Sequence, residues 1–494
     1  MSKPVAVIGS GPTGAVAAQA LIQQGIPVVM LESGDRLPHG VMIRAMGRTI
    51  FRKKPALDPR GAALSVGRNP EIEWWVHLDP GGLSNQWTGG VPRFSPEDFT
   101  EGEQLDPCYR WPVDYAELVP FYERVERLLE VSGGRVDIAT APRGEFRYHS
   151  GLPRAWQRVD KVARARGHAL IPAPIAHGTP WMAARRGTAF NSFLQLVVPL
   201  MSSPNFQLRT GAHVLRLEHD ATKQRVKSVL YQDRVTGEQH RIEVGGVVVA
   251  CGALNSTKLL FDSACPDFPE GLGNSDGVLG RYLHDHPHEW FTLELSKPIA
   301  RLPNSIYLTR RPFGSPALLA AGLTLGAASP KEQILASLPL PSRALGVQVM
   351  GSMIPTPDNF AQPDPNQKDP FGSPQLRVCM DYDKDIRANM NLARKNLQEI
   401  LSAAGYDNKI IHEPNVLRPG SSVHYGGTVR MHHSREFGML DGWNRLHAVP
   451  NVLVTDISCF TTCPEKRPTL TAMALSWRAA ERLASDLKRG TYEE

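Results

Sequence analysis

The sequence is poor in cysteine, and its cysteines are not arranged for disulfides or metal binding. Only six occur among 494 residues, with no CxxC pair and no metal-ligand spacing. We therefore expect reduced, mostly buried thiols. The first apolar strand begins at Val5, too early for a signal peptide ahead of it, so a cytoplasmic location is expected.

A long apolar run and a concentrated patch of one charge are also absent. No apolar stretch approaches the roughly 20 residues that cross a bilayer, so no membrane span is expected. The 55 Lys and Arg residues are scattered among 49 Asp and Glu residues, and the formal net charge is +6. This distribution is typical of a solvated surface and argues against nucleic acid as a partner.

The chain is longer than one hydrophobic core usually serves, so two domains are expected. Its opening predicts a strand over residues 4–8, a helix over residues 14–24 and a strand over residues 28–31, which together form a βαβ unit. Residues 36–80 show no clear periodicity and predict a long excursion of the chain over the surface or over the cofactor. A helix is predicted over residues 115–131.

Strand-like alternation returns over residues 207–218, 226–232 and 241–250. The last of these ends in a run of buried type that leads into a helix at Ser256. Such a strand is typical of a parallel sheet, so it is assigned to the same nucleotide-binding domain.

Residues 291–413 have a different character, with proline-rich loops over residues 361–374 and a long polar helix over residues 385–404. This segment is predicted to be a second domain inserted before the first is completed, and Pro and Gly at residues 414–420 mark the return. The expected divisions are residues 1–290, 291–414 and 415–494.

The clearest local motif is GxGxxG, which follows the first predicted strand and opens the first helix. Gly9 permits a tight turn, Gly11 lets a pyrophosphate approach the backbone, and Gly14 lets helix and strand pack closely. The anion then lies at the helix N-terminus, where unpaired N–H groups favour it. Glu32 ends the second strand, where a carboxylate accepts hydrogen bonds from an adenosine ribose. The motif predicts a dinucleotide but does not separate FAD from NAD.

Six further stretches carry motifs along the chain. They are residues 81–87 (GGLSNQW), 110–113 (RWPV), 283–287 (LHDHP), 422–431 (SVHYGGTVRM), 449–458 (VPNVLVTDIS) and 467–474 (RPTLTAMA). With the glycine fingerprint, they resemble the glucose-methanol-choline (GMC) oxidoreductases over nearly the whole chain. The resemblance implies an α/β fold, in which a Rossmann-like FAD-binding domain carries an inserted substrate domain with an antiparallel sheet.

The resemblance also implies the chemistry. The cofactor is FAD, and His424 takes the hydroxyl proton of an alcohol while the carbinol carbon transfers hydride, a role that suits a group titrating near physiological pH. Residues 426–427, a glycine pair, suit close approach to a ligand. Asp456 is implied to bind the ribityl or pyrophosphate region, and Pro468 and Thr469 to lie near the flavin pyrimidine. The other implied cofactor contacts are Pro12, Thr13, Ser84, Asn85, Gln86, Trp87, Val214, Cys251 and Gly252.

Two positions depart from the family pattern. The C-terminal motifs resemble the pyranose-oxidase-like branch, whose members often carry a histidine bonded to FAD where this chain has Gln86, so non-covalent FAD is expected. The second active-site position, usually Asn or His, holds Arg467, as in formate-oxidising members. A guanidinium is not a base at accessible pH, but it suits a carboxylate, a carbonyl or a developing alkoxide. Alternatively, Arg467 turns away and pairs with Glu465 or another surface acid.

A metal site is also conceivable from sequence, because His284, His286 and His288 alternate and alternate strand residues share one face. The family that the chain resembles carries this histidine-rich junction without a metal. No metal site is therefore expected.

The leading hypothesis is FAD-dependent oxidation of a sugar, glycoside or cyclitol-like hydroxyl to a carbonyl, with His424 as the base. The second is oxidation of an aldehyde hydrate, formate or a hydroxy acid, with Arg467 binding the anionic group. A third is a flavin-binding protein without turnover, and an NAD-only dehydrogenase is least favoured. The motifs leave open whether oxygen or another molecule accepts the electrons.

Overall fold

The computed structural model describes residues 3–35, 63–65, 74, 78–85, 87, 89–135, 137–176, 190–300, 306–308, 321–326, 341–382, 384–412 and 419–492. Its α-helices of more than one turn are α1 (Pro12–Gln23), α2 (Tyr115–Leu128), α3 (Arg154–Arg164), α4 (Ala253–Asp262), α5 (Lys384–Ala403) and α6 (Thr469–Lys488). Its strands are β1 (Val5–Ile8), β2 (Val28–Glu32), β3 (Ala63–Ser65), β4 (Ser132–Gly133), β5 (Tyr148–His149), β6 (Leu170–Pro172), β7 (Phe206–Thr210), β8 (Ala212–Asp220), β9 (Arg225–Asp233), β10 (Gln239–Glu243), β11 (Gly246–Val249), β12 (His288–Ile299), β13 (Ile306–Leu308), β14 (Ala321–Gly326), β15 (Ser342–Gly351), β16 (Phe360–Lys368), β17 (Pro374–Cys379), β18 (Asn408–His412) and β19 (Val452–Val454).

One sheet is parallel and is built from the early and late parts of the chain. Its strand order is β19-β11-β1-β2-β7, with every neighbouring pair parallel. The strands β1 and β11 are rich in valine and buried throughout, as expected where helices cover both faces of a parallel sheet. The helix α1 connects β1 to β2. The predicted βαβ unit is therefore confirmed.

A second sheet is antiparallel, in the order β18-β12-β15-β14-β13-β6. Its buried residues form a core separate from that of the parallel sheet, and α5 packs against β14 and β15. The α/β fold with an inserted antiparallel sheet is therefore confirmed. One strand of this sheet, β6, comes from before residue 290, and the boundaries at 290 and 414 stay a prediction.

The prediction of loops over residues 361–374 is wrong for residues 361–368, where β16 is an extended strand, while residues 369–373 form the turn that leads to β17. Strand β16 pairs antiparallel with β17, and Pro363 lies opposite Leu376. The sheet order β16-β17-β3 puts β16 at an edge. Proline has no N–H to donate, so an edge strand accommodates it where a central strand does not.

Two of the predicted strands are each divided in two. A break at Gly211, with a φ of +70°, separates β7 from β8, and residues 244–245 separate β10 from β11. Most of the predicted excursion over residues 36–80 and most of the return over residues 414–420 lie outside the described residues. No helix in the described part of the chain combines the length and the hydropathy that crossing a membrane requires.

Candidate active site

A cavity of about 510 Å³ extends from the turn after β1 to the segment around His424. It opens at the carboxyl ends of the parallel strands, the edge at which open α/β sheets bind ligands. Trp290, Gln348 and Met350 line it from the antiparallel sheet. The predicted site residues that line it are Gly9, Gly11, Pro12, Thr13, Glu32, Ser84, Trp87, Val214, Cys251, Gly252, His424, Asp456, Arg467, Pro468 and Thr469.

The structure does not place three other predicted residues in this lining. Gly14 packs inside the turn, where a Cβ would meet the carbonyl oxygen of Gly9, so it allows the close packing that the motif predicts. Asn85 is buried; its side-chain NH₂ donates to the carbonyl of Pro80 at 3.0 Å, and its side-chain oxygen accepts a hydrogen bond from Asn191. The Asn85 side chain therefore supports its own loop and does not face the cavity. Gln86 lies outside the described residues.

The glycine turn leaves the backbone open to the cavity. Gly9 has a φ of +101°, and a Cβ on it would lie 2.5 Å from the carbonyl oxygen of Ala250. At Gly11, by contrast, no described atom lies within 4 Å of the place that a Cβ would take. Helix α1 begins directly after Gly11, with Pro12 as its first residue. The unpaired N–H groups at this helix N-terminus suit an anion such as a pyrophosphate.

Glu32 anchors the glycine turn and faces the cavity. Its carboxylate accepts hydrogen bonds from the backbone N–H of Ser10 at 3.0 Å and of Gly34 at 2.7 Å. Burial raises the pKa of Glu32, although these hydrogen bonds oppose the shift. The Ser10 hydroxyl donates to the same carboxylate. A carboxylate has about four acceptor positions, so one remains for a ribose hydroxyl.

Asp456 joins the end of β19 to the start of α4. Its Oδ2 accepts hydrogen bonds from the N–H of Gly252, at 3.2 Å, and from the Ser256 hydroxyl, while its Oδ1 accepts from the N–H of Ser458 at 3.0 Å. Burial raises the pKa of Asp456. The carboxyl group therefore fixes two backbone segments at the cavity wall.

The loop over residues 81–87 is held by its own polar groups. The hydroxyl of Ser84 donates to the carbonyl of Gly81 at 2.6 Å and accepts from the N–H of Ser192 at 3.0 Å. The indole of Trp87 donates to the carbonyl of Phe190. These bonds hold the described part of the loop against residues 190–192, with Ser84 and Trp87 facing the cavity.

His424 reaches the cavity with a neutral imidazole. Desolvation by the surrounding protein lowers its pKa well below the usual 6.5, and the nearby His286 and Arg467 lower it further. The centroid of its ring lies 4.9 Å from the centroid of the His286 ring. Its Nδ1 is buried without a hydrogen-bond partner among the described residues. The sequence leads us to expect a group that titrates near physiological pH, and burial in the cavity wall corrects this expectation. The neutral imidazole still has a free electron pair, so His424 can accept a proton from a bound hydroxyl.

Arg467 lines the cavity and donates a hydrogen bond to Gln348, which also lines it. Its Nη2 lies 2.7 Å from the Oε1 of Gln348, whose Nε2 lies 2.8 Å from the Nε2 of His288. Burial and the Arg467 charge lower the pKa of His288 to about 4, so its ring is neutral and accepts from the amide. Gln348 therefore orients the guanidinium of Arg467 on the antiparallel-sheet side.

The residues around Arg467 form their own contacts. The carboxylate of Glu465, the alternative partner expected for Arg467, lies 2.9 Å from the ammonium of Lys466. Arg467 is followed by Pro468, the N-cap of helix α6, and the helix begins at Thr469. Its N-terminus opens on the cavity, so its unpaired N–H groups can stabilise negative charge there.

The alternating histidines of residues 284–288 have separate partners. The Nδ1 of His286 lies 2.7 Å from the Sγ of Cys463, and its Nε2 lies 3.0 Å from the carbonyl oxygen of Lys466. His288 contacts Gln348 instead. The arrangement fixes the junction between the two sheets.

The glycine pair after His424 does not face a ligand, which corrects the expectation from sequence. A Cβ on Gly426 would meet the ring of His284 and the carbonyl oxygen of Ile457. A Cβ on Gly427 would meet the same ring and the carbonyl oxygen of Tyr282. The two glycines are therefore required for packing against His284.

Sequence reasoning missed several residues at the site, including Asp285, Gln348 and Trp290. Asp285 lies in the histidine-rich junction, and its carboxylate accepts hydrogen bonds from the segment that carries His424. Gln348 and Trp290 line the cavity from buried strands. The polar Gln348 within an apolar strand pattern was the one available signal, because buried polar groups need partners.

These features together fit FAD. The open backbone at Gly11 and the start of α1 suit a pyrophosphate, and Glu32 suits a ribose. The same cavity continues to His424 and the N-terminus of α6, where a flavin ring would lie beside a base and a set of N–H donors. An NAD site would not account for this second half of the cavity.

Comparison with known proteins agrees with this geometry. The chain is 32% identical to 6'''-hydroxyparomomycin C oxidase from Streptomyces lividus, over 98% of this chain and 91% of that protein. It is 31% identical to paromamine 6'-oxidase from Streptomyces fradiae, with the same coverage of 98% and 91%. Among solved structures, pyridoxine 4-oxidase from Mesorbium loti is similar in fold, with a TM-score of 0.69 and 16% identity over 97% of this chain and 99% of that one.

The sequence models of known families match three segments of the chain. An FAD binding domain matches residues 2–47, and the two GMC oxidoreductase models match residues 112–288 and 362–476. These segments contain the glycine turn, the histidine-rich junction and the His424 region. The chain therefore belongs to the GMC oxidoreductases, a family of FAD-dependent enzymes that act on CH–OH donors.

Proposed function

We propose that this enzyme oxidises a hydroxyl of a sugar, glycoside or cyclitol-like polyol to a carbonyl, with His424 as the general base. The observation that carries the proposal is the position of His424. Its imidazole is kept neutral by desolvation and lines the cavity that begins at the glycine turn. A base in that place contacts the substrate at the end of the cavity where the flavin ring fits.

Each residue of the site has a separate role in the proposed reaction. When bound, FAD accepts the hydride that leaves the carbinol carbon. His424 accepts the hydroxyl proton, because hydride leaves an alkoxide far more readily than an alcohol. The N–H groups at the start of α6, next to Thr469, stabilise negative charge at the far side of the site. Trp290 and Met350 give the substrate an apolar wall, while Gln348 and Arg467 give it polar contacts.

Two relatives support the polyol as substrate. Their names describe oxidation of hydroxyparomomycin C and of paromamine at its 6' position, and each covers 98% of this chain. Oxidation of a hydroxyl on a multiply hydroxylated substrate also agrees with a cavity wall that combines an aromatic ring with several hydrogen-bonding groups.

The test is anaerobic mixing of the FAD-loaded enzyme with a panel of alcohols: paromamine, methyl glucoside and myo-inositol. We expect at least one to bleach the flavin absorbance. His424→Ala should keep its FAD and its fold but lose at least about 100-fold in the rate of bleaching. The proposal fails if no polyol reduces the flavin, or if His424→Ala reduces it as fast as the wild type.

A second candidate substrate is an aldehyde hydrate, formate or a hydroxy acid, which Arg467 would bind through its anionic group. The guanidinium lines the cavity and is oriented by Gln348, which favours this candidate. Arg467→Asn separates the two. It should raise the KM for glycolate and formate severely if acids are the substrates, whereas a neutral sugar should be tolerated. Arg467→Lys keeps the charge without the fork and serves as the matched control.

We also propose that FAD is held without a covalent bond. Members of the pyranose-oxidase-like branch often carry a histidine bonded to FAD at the position where this chain has Gln86. Acid precipitation should leave all of the yellow flavin in the supernatant. Fluorescent flavin that migrates with the denatured protein on a gel would contradict this.

The electron acceptor can be tested with the bleached enzyme. Comparing its reoxidation under air with its reoxidation by an artificial acceptor under nitrogen shows whether oxygen serves as the acceptor. The cytoplasmic location stays a prediction.

A further inference from the structure

The segment that carries His424 contains an unfavourable backbone conformation. Val423 has a φ of +64°, in the left-handed region. This region is rare for any residue other than glycine, and a β-branched side chain such as valine makes it a genuine outlier. Such a conformation persists only where surrounding contacts enforce it. The contacts that hold Val423 therefore decide where the next residue, His424, lies.

The carboxylate of Asp285 supplies these contacts on both sides of Val423. Its Oδ2 accepts a hydrogen bond from the backbone N–H of Ser422 at 3.0 Å, and its Oδ1 accepts from the N–H of His424 at 2.7 Å. The Ser422 hydroxyl also donates to Oδ1. The Asp285 side chain is fully buried, so these bonds are not exchanged with water. One side chain thus ties together the two residues that flank the outlier.

The imidazole of His424 itself makes few contacts that would hold it in place. Its Nδ1 is buried and has no hydrogen-bond partner in the described part of the chain. The ring packs against His286, at 4.9 Å between centroids and an angle of 64°. Packing restricts the ring, but a ring without a bond at Nδ1 takes its position from its backbone. A histidine base is more often oriented by a carboxylate bonded directly to its ring nitrogen.

We propose that Asp285 is the positioning residue for His424, acting through the backbone. Its carboxylate holds Val423 in the left-handed conformation and thereby directs the imidazole into the cavity. This inference rests on the proposed role of His424 as the base. It concerns a residue that touches neither the cavity nor a bound substrate, because Asp285 is absent from the cavity lining.

The proposal differs from a simple structural role in one consequence. If Asp285 matters because it enforces a positive φ, a glycine at position 423 should lessen the need for it, since glycine adopts positive φ without steric cost. If Asp285 matters only as a buried polar group, the effects of Asp285→Asn and Val423→Gly on kcat should be additive. A double-mutant cycle between Asp285→Asn and Val423→Gly therefore discriminates the two.

Asp285→Asn keeps the shape of the side chain but replaces one acceptor oxygen with an NH₂ group, which cannot accept from an N–H. We expect kcat for paromamine, or for whichever polyol of the panel reduces the flavin, to fall about 10- to 100-fold with little change in KM. The ratio of kcat between Val423→Gly and the double variant should be several-fold smaller than the ratio between wild type and Asp285→Asn. All four proteins are compared as FAD-loaded enzymes, with FAD content as the measure of folding.

Hydrogen exchange at the backbone amides of residues 422 and 424 gives a readout that does not depend on turnover. Asp285→Asn should speed exchange at both, and Ser422→Ala, which removes only the hydroxyl bond, should do so less. If Asp285→Asn does not bind FAD, the pair Ser422→Ala and Ser422→Ala/Val423→Gly replaces it in the cycle. Unchanged exchange, or a double variant no better than additive, overturns the proposal. If no polyol is oxidised by the wild type, the proposed function fails while exchange still decides whether Asp285 holds the segment.

Discussion

At the scale of single residues, Asp285 makes the position of His424 dependent on pH. Burial raises its pKa to about 6, although the hydrogen bonds from Ser422 and His424 oppose the shift. The groups around it stay neutral near this pH, because the pKa of His286 is lowered to about 3 and those of Tyr382 and Cys463 are raised well above their usual values, all mainly by burial. Below about pH 6 the carboxyl is protonated and holds the His424 segment less well.

We therefore expect kcat to fall as the pH drops through about 6. His424 itself does not cause this acidic limb of the pH profile, since its pKa lies well below 6.5. Asp285→Asn should have a lower kcat at pH 8 and should lose the limb, whereas Ser422→Ala should keep it. The measurement is a kcat profile from pH 5 to 8 at saturating polyol. An identical limb in Asp285→Asn would assign it to another group.

Gln348 gives a second prediction at this scale. It accepts from Arg467 and contacts His288, so Gln348→Ala leaves a guanidinium in the cavity wall without that acceptor. Losing a hydrogen bond to a charged group typically costs about 1.5–3 kcal/mol, so kcat/KM should fall about 10- to 100-fold while FAD affinity is unchanged. Gln375→Ala, in β17 and outside the cavity lining, is the matched control. A lost affinity for FAD in Gln348→Ala would place its role elsewhere.

Individual site residues differed in how far the sequence could reveal them. Gly11 and Glu32 could be predicted from local sequence, because a glycine turn followed by a carboxylate at the end of the next strand is typical of dinucleotide binding. His424 and Arg467 needed the resemblance to a family. Asp285 could not be identified, because its function depends on a contact with a segment that lies 137 residues away along the chain.

At the scale of an element, the glycine turn offers a matched pair of variants. A methyl group on Gly9 would meet the carbonyl oxygen of Ala250 at 2.5 Å, in a residue whose φ is +101°. A methyl group on Gly11 would meet no described atom within 4 Å, but it would enter the cavity. The same substitution therefore acts on folding in one case and on the cofactor in the other.

We expect Gly9→Ala to lower the free energy of unfolding of the FAD-free protein by at least about 2 kcal/mol. Gly11→Ala should leave that value within about 0.5 kcal/mol of the wild type and weaken FAD binding at least tenfold. Denaturant unfolding of the FAD-free proteins and titration with FAD measure the two effects. Equal FAD affinity for Gly11→Ala and wild type would exclude a pyrophosphate at this turn.

Elements with strong periodicity could be predicted, and those set by distant partners could not. β1, β2 and α1 were found within two residues of their bounds, because a buried strand and an apolar helix are visible locally. The prolines of β16 indicated a loop, yet the strand forms because β17 supplies its pairing on one side only. The break at Gly211 depends on a positive φ that hydrophobic alternation does not show.

At the scale of the whole molecule, the cavity joins parts of the chain that are far apart in sequence. Its walls run from Ile8 to Ala472 and include residues of both sheets. The parallel sheet supplies the glycine turn and Glu32, while the antiparallel sheet supplies Trp290 and Gln348. A ligand that fills this space contacts both cores at once, so its binding energy opposes the separation of either from the other.

FAD should therefore stabilise the entire fold and not one domain alone. A ligand that binds only the folded state adds about 2.7 kcal/mol at a free concentration 100 times its Kd, and about 1.4 kcal/mol for each further tenfold. We expect the Tm of the FAD-free protein to rise with the logarithm of the FAD concentration, in a single transition. Gly11→Ala, with its turn intact but its cavity narrowed, should need at least tenfold more FAD for the same rise. Two transitions, of which only the lower responds to FAD, would show that the two cores unfold independently and that the cofactor contacts only one of them.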